Sequence, residues 1–260
     1  MKKKKIFAYS NCLSEGLLKF MNLHPTFSKQ FETEYIASFR IPLGENSVDQ
    51  VISGWREADI IFHHVVDNDW GCNTELFLPY TKPTAEVYSL PVIYNSGFFI
   101  HPDELLNSSL PNIKSELSKS MNHAISYFWN YGDLNWSSRF DSCLDKMKQK
   151  EINEGVIEQL RMSSFINEHS HDRRTMITCN HPTTFTFAVL AYKIADLLEL
   201  PPWPQSLCPF KIEDINYAQL PCYDYISPAA KMHLGLKYNN DHYSVEVENH
   251  IKMVLSKFID

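Results

Sequence analysis

Lys4-Lys5-Ile6-Phe7-Ala8-Tyr9-Ser10-Asn11-Cys12-Leu13 is the stretch on which the reading of this chain turns. Lys4 to Tyr9 has the composition of a short buried strand. Leu13, Leu17, Phe20 and Met21 then recur at helical spacing, so the chain passes from strand to helix at Ser10-Asn11-Cys12. His24-Pro25 ends that helix, because the residue before a proline avoids the helical region.

The alternation continues downstream. Glu34 to Ile41 predicts a second strand and Val48 to Trp55 a short helix. Asp59-Ile60-Ile61-Phe62-His63-His64-Val65-Val66 predicts a buried strand. Glu86 to Tyr94 predicts another, with Pro91 marking an edge position or a bend. Arg174 to Thr178 predicts a fifth. Strands that alternate with helices predict a parallel sheet in an α/β fold.

The middle of the chain departs from this rhythm. Ile113, Leu117, Met121, Ala124, Ile125 and Phe128 form one apolar helix face. Phe140, Leu144 and Met147 form a second, and Ile152, Val156, Ile157 and Leu160 a third. Three helices over about 111–168 predict a helical subdomain inserted into one α/β domain spanning 1–260. Phe185 to Leu200 predicts a strong helix stopped by Pro201-Pro202-Trp203-Pro204. A last helix is expected over about Tyr243 to Phe258.

Bulk properties exclude several classes. The chain has 260 residues and a formal net charge of −7, which argues against a nucleic-acid binder with a basic face. Lys2 to Lys5 are followed by too short an apolar run for a secretory signal. No stretch approaches the ~20 apolar residues of a membrane span. The six cysteines are scattered without a C-x-x-C, as expected of reduced thiols in a cytoplasm. Among eight glycines there is no G-x-G-x-x-G, Walker loop or G-x-S-x-G elbow.

Three segments have the composition of a site. Cys12 follows a strand and opens a helix, where the helix dipole favours a thiolate; the plainer reading is a small buried hydrophobe. Cys179-Asn180-His181-Pro182-Thr183 lies between the fifth strand and the strong helix. There Asn180 or His181 is expected as a helix cap, with Pro182 in the first turn. The positive helix end would favour a neutral His181, able to act as a base. Gly97-Phe98-Phe99-Ile100-His101-Pro102-Asp103 can form a turn beside a ligand, with Asp103 in the first turn of the next helix; the plainer reading, which spacing alone favours, is a loop and a helix start. If the strands are parallel, these turns are expected at one carboxyl edge. Arg173 and Arg174 are candidate phosphate partners. His63 and His64 point to opposite faces of a strand and so are not expected to share a metal. No metal site is expected.

Together these motifs resemble the WcbI-like polysaccharide biosynthesis proteins, over roughly residues 5 to 205. The family's Gly-Asn-Cys-Gln turn is matched by Ser10-Asn11-Cys12-Leu13, and its Asp-led strand by Asp59-Ile60-Ile61-Phe62. The aromatic segment from a glycine to Pro-Asp is matched by Gly97 through Asp103. The family's Asn-His-Pro-Thr is matched by Asn180-His181-Pro182-Thr183. Ser10, Leu13 and His64 depart from the family's glycine, glutamine and glutamine.

The resemblance implies acetyl transfer from acetyl-coenzyme A to a sugar hydroxyl in capsule or other surface-polysaccharide synthesis. It implies Cys12 and His181 as catalytic residues. His181 would deprotonate the sugar directly, or serve as base while Cys12 first takes the acyl group. Asn11, Gly97, His101, Arg173, Arg174 and Asn180 would hold coenzyme A. A carbohydrate esterase, or a non-catalytic carbohydrate- or nucleotide-binding protein, is the alternative.

Overall fold

The computed structural model describes residues 2–66, 72–99, 112–130, 135–208, 226, 228–238, 249, 252–253 and 255–256. The chain divides into two compact units. The first comprises Met1–Val92, Lys148–Met162 and Thr184–Glu213; the second comprises Ile93–Met147, Ser163–Thr183 and Asp214–Asp260. The stretch 111–168 is therefore shared between them.

The first unit is built on a four-stranded parallel sheet: β1 (Lys4–Ser10), β2 (Phe31–Ala37), β3 (Ile60–His63) and β4 (Glu86–Ser89). Its order is β2-β1-β3-β4, with Ile6 beside Thr33 on one side and Ile60 on the other. β3 is buried throughout and β1 from Ile6 to Ser10, which accounts for the apolar runs Ile6–Tyr9 and Ile60–Phe62. β4 lies at the edge of the sheet. Its ladder ends with Leu90 N–H donating to His63 O at 2.7 Å, and Pro91, whose missing N–H falls on the side away from β3, is tolerated at this edge.

Alternation along β1 sends Phe7 and Tyr9 to one face and Ile6 and Ala8 to the other. On the first face they pack with Ile36, Ile61 and Phe77 against Val51 and Trp55 of α3 (Val48–Glu57). Gly54 permits this contact: a Cβ there would lie 2.3 Å from the Phe7 ring. α3 opens on a capping box between Ser47 and Gln50. α1 (Leu13–Met21) packs on β1 and β2 and against α8 (Thr184–Leu197), where Gly16 meets the Phe187 ring. Between α1 and β2 runs the short α2 (Pro25–Gln30), capped by the His24 ring.

Asp59 explains why an aspartate leads β3. Its carboxylate accepts the Lys5 N–H at 2.7 Å and pairs with Lys82 at 2.6 Å, and its own backbone joins β1 and β4. These bonds hold the carboxylate below the usual range, Lys82 contributing most. Asp59 is thus a clip at the amino end of the sheet.

The second unit carries α4 (Ile113–Lys119), α5 (Met121–Trp129), most of α6 (Trp136–Asn153), α7 (Ser163–His169), a hairpin of β5 (Met176–Thr178) and β6 (His181–Pro182), and α9 (Pro228–Leu234). Two expectations need correction. The first apolar face is split, because Ser120 is extended and its hydroxyl caps α5 through the His123 N–H. The third expected helix does not form over 152–160. Gly155, at φ +69°, ends α6, with Val156 N–H reaching Glu151 O and Gly155 N–H reaching Ile152 O. A single 3-10 turn, Glu158–Leu160, follows in its place. The expected C-terminal helix falls largely outside the described residues.

Candidate active site

In the first unit the sheet has a topological switch point. The chain runs from β1 out to β2, then crosses back to β3 on the other side of β1. Open α/β sheets hold ligands outside the carboxyl ends of the strands flanking such a point. Here those ends carry Ser10-Asn11-Cys12 and His63-His64.

The first turn is built by its own side chains. Asn11 Oδ1 accepts the Leu13 N–H at 2.9 Å, and Ser10 Oγ accepts the Ser14 N–H at 3.2 Å. Ser10 Oγ also donates to Asn11 O at 2.9 Å and shares a short hydrogen bond with Ser14 Oγ. Two helix-start donors, the N–H groups of Leu13 and Ser14, are therefore satisfied internally. The Asn11 amide nitrogen is the arm able to donate outward. Cys12 occupies the N-cap of α1 in helical conformation, half-buried, with its thiol reduced.

Beside it, His64 N–H bonds Tyr9 O at 2.9 Å. The two histidines diverge, as strand alternation requires. The His63 ring lies 5.7 Å from that of Trp55, and His64 Nε2 donates to Pro91 O at 3.1 Å. Burial pushes both below the usual imidazole range, His64 to about 3. No metal-binding group of three or more His, Cys, Asp or Glu occurs among the described residues.

In the second unit a strap and a hairpin come together. Asn95 N–H donates to Cys179 O at 2.8 Å, and Asn95 Oδ1 accepts the Gly97 N–H at 2.7 Å. Gly97 is dictated by packing, since a Cβ would lie 2.7 Å from the Phe140 Cα on α6. Arg139 ties the strap down through Ser96 O and Phe99 O at 3.4 and 3.1 Å. Ser96 Oγ lies 3.3 Å from Cys143 Sγ. Partial burial and the Cys179 thiol push the Tyr94 phenol up. Asn95 is fully buried, yet its Nδ2 has no partner among the described residues.

The hairpin overturns the expected helix cap. β5 pairs antiparallel with β6 in a sheet of its own, Thr178 opposite His181, with only Cys179-Asn180 between them. His181 and Pro182 are thus strand residues, and α8 starts at Thr184. The expectation that His181 follows a strand of the parallel sheet fails for the same reason. Thr178 Oγ1 lies 2.7 Å from His181 Nδ1 and donates to Asn180 Oδ1 at 2.8 Å. His181 is half-buried and Asn180 exposed.

Arg174 is 3% exposed, with Nε on Met176 O at 2.8 Å and a terminal nitrogen on Ile177 O at 3.1 Å. Arg173 is half-buried. His101 and Asp103 lie outside the described residues. Thr178 was not among the residues singled out from sequence. Its signal was two residues, one of them Asn, between short extended runs.

A parallel sheet wound in both directions, with a thiol turn at its switch point, defines a doubly wound α/β protein. Residues 5–203 match the family described as polysaccharide biosynthesis enzyme WcbI, and the chain belongs to that family. A solved structure of WcbI itself, described as a novel polysaccharide biosynthesis enzyme, superposes with a TM-score of 0.69 at 16% identity. The match covers 100% of this chain and 94% of that one, and at this identity it shows the shared fold. That protein is described as the native form without a disulfide bond between coenzyme A and one of its cysteines. Comparison with curated proteins gives no match. No described helix is long and apolar enough to cross a membrane.

Proposed function

We propose that this chain is a coenzyme A-dependent acyltransferase that O-acetylates a sugar during synthesis of capsule or another surface polysaccharide, in the cytoplasm. The observation that carries the reading is the Asn11-Cys12 turn at the switch point of the sheet. Family membership supports the pathway. The mention of coenzyme A in the description of the solved WcbI protein, there without a disulfide bond to its cysteine, supports the co-substrate. The family match runs through both units, which supports treating the chain as one WcbI-like domain with added helices.

The residues suit the chemistry. A sugar hydroxyl attacks the thioester carbonyl, and its proton passes to His181. The carbonyl C–S bond breaks, and coenzyme A leaves as a thiolate that is then protonated. The Asn11 amide nitrogen is suited to the developing oxyanion, and Cys12 to meeting the thioester end of the coenzyme. Arg173 and Arg174 are the candidate phosphate partners, and Arg174 also holds the backbone carbonyls of Met176 and Ile177. Gly97, His101 and Asn180 complete the coenzyme-binding assignment.

Thermal melting with coenzyme A, acetyl-coenzyme A and free sugars tests this. A ligand at 100 times its dissociation constant adds about 2.7 kcal/mol of stability. We expect both coenzymes to raise the melting temperature. A shift with free sugar and none with coenzyme A would overturn the reading. Mass spectrometry of the polysaccharide from a strain lacking the protein identifies the acceptor.

A further inference from the structure

We propose that Thr178 is a positioning residue that fixes the tautomer of His181, holding the proton on Nδ1 and leaving the Nε2 lone pair as the base. This rests on the assignment of His181 as the base and goes beyond it by naming the reacting nitrogen. The argument is a count of protons. Thr178 is 6% exposed, so its hydroxyl must be satisfied within the protein. A hydroxyl has one proton to donate and two lone pairs. Its proton is directed to Asn180 Oδ1 at 2.8 Å. Towards His181 Nδ1, at 2.7 Å, the hydroxyl can then only accept. A neutral imidazole that donates from Nδ1 carries its lone pair on Nε2.

The hairpin makes the geometry stiff. Thr178 and His181 are a cross-strand pair closed by two residues, and the Asn180 N–H also reaches Thr178 Oγ1 at 3.4 Å. Thr178 is further held because the Thr183 N–H bonds Thr175 O at 3.0 Å, closing the far end of the hairpin. One turn thus supplies the imidazole, the group that reads its Nδ1 proton, and the amide that orients that group. As the base, Nε2 would take the sugar proton while Nδ1–H stays on Thr178, so no second proton transfer is needed.

The test is the 15N spectrum of the imidazoles in the full-length protein, with His181 assigned by its loss in His181→Gln. Wild type should show Nδ1 protonated and Nε2 unprotonated when the ring is neutral. Thr178→Val removes the acceptor and should move the tautomer ratio about 10-fold towards Nε2–H, the size of one hydrogen bond. Thr178→Ser should keep the wild-type pattern. Asn180→Ala, at an exposed position, releases the Thr178 proton and should shift the ratio in the same direction without unfolding the hairpin. In turnover, Thr178→Val should lower kcat by a similar factor at unchanged KM, with Ser restoring it. A wild-type His181 protonated on Nε2, or a spectrum indifferent to both Thr178→Val and Asn180→Ala, overturns the proposal. The spectra need no substrate. Absent transferase activity with the Nδ1–H tautomer intact would instead overturn the assignment of the base.

Discussion

The Ser10–Leu13 corner and the Thr178–Pro182 hairpin hold the two residues assigned to catalysis, and they are made rigid by opposite means. At the first corner a buried strand and a helix fix the backbone, and Ser10 and Asn11 satisfy the helix-start donors. Cys12 inherits its place from that frame. At the second corner a two-residue turn brings His181 opposite Thr178, and a side-chain hydrogen bond orients the ring directly. Secondary structure positions the thiol, whereas a single hydroxyl orients the imidazole. Substitutions near Cys12 should therefore show first in stability, and those near His181 first in turnover.

The largest expected effect breaks or upholds that contrast at its centre. His181→Ala should cut acetyl transfer by about 10²–10⁴, the usual contribution of a positioned base, with little change in melting temperature. Cys12→Ser separates the two routes. If it retains transfer while His181→Ala does not, the sugar attacks the thioester directly. If both lose it, the acyl group passes through Cys12.

The next effect separates the two arginines. Arg173→Ala should weaken coenzyme A binding by about 1.5–3 kcal/mol, the value of a charge-assisted contact. Arg174→Ala should lower the melting temperature instead, since its buried guanidinium serves Met176 O and Ile177 O. Calorimetry and thermal melts of both variants check this. Equal losses of affinity would place Arg174 at the ligand as well.

The same contrast explains what the sequence could convey. β1, α1, α3 and β3 were legible because each carries its own periodicity, and the strand-to-helix turn at Cys12 follows from it. Pro91 marked β4 as an edge strand, where a missing N–H is tolerated. The hairpin was not legible in this way. Asn180-His181-Pro182-Thr183 has the composition of a helix cap, and the signal for a turn was only two residues long. Which reading wins depends on Thr175 pairing with Thr183, a contact no local pattern encodes. The split at Ser120 was hidden similarly: apolar spacing runs on through it, and only a seryl cap marks the break. Gly155 was visible, but its left-handed conformation is decided by the end of α6.

Between these corners in effect size stands His64. Its imidazole is held neutral by burial, with a folded value of about 3 against an ordinary 6.5. Between those values the unfolded chain binds a proton that the folded chain does not. Stability is therefore full above about pH 6.5 and falls on acidification, by about 1.4 kcal/mol per pH unit, until about pH 3. His64→Gln removes the titrating ring and keeps an N–H for Pro91 O. Urea melts from pH 7 to 4 should show a shallower acid loss for the variant, with the share from buried His63 remaining. Parallel curves would mean that His64 is protonated within the fold.

The smallest expected effect tests whether the Cys12 corner is held by its cap. Asn11 has two ends: Oδ1 accepts the Leu13 N–H, and the amide nitrogen can donate. Asn11→Ala removes both and should cost about 1 kcal/mol, the usual net worth of one hydrogen bond. Asn11→Asp keeps the acceptor and should restore that stability, because a carboxylate also suits a helix N-terminus. It loses the donor and sets a negative charge beside Cys12, which disfavours the thiolate. Iodoacetamide labelling read peptide by peptide should therefore separate the pair. Cys12 in Asn11→Asp should need a higher pH to react than in Asn11→Ala, although the Asp protein is the more stable. Wild-type Cys12 should react at the lowest pH of its cysteines and be protected by coenzyme A. If Asn11→Ala melts like wild type, the strand and helix alone hold the corner, and the Asn11 side chain is left with a role towards the ligand.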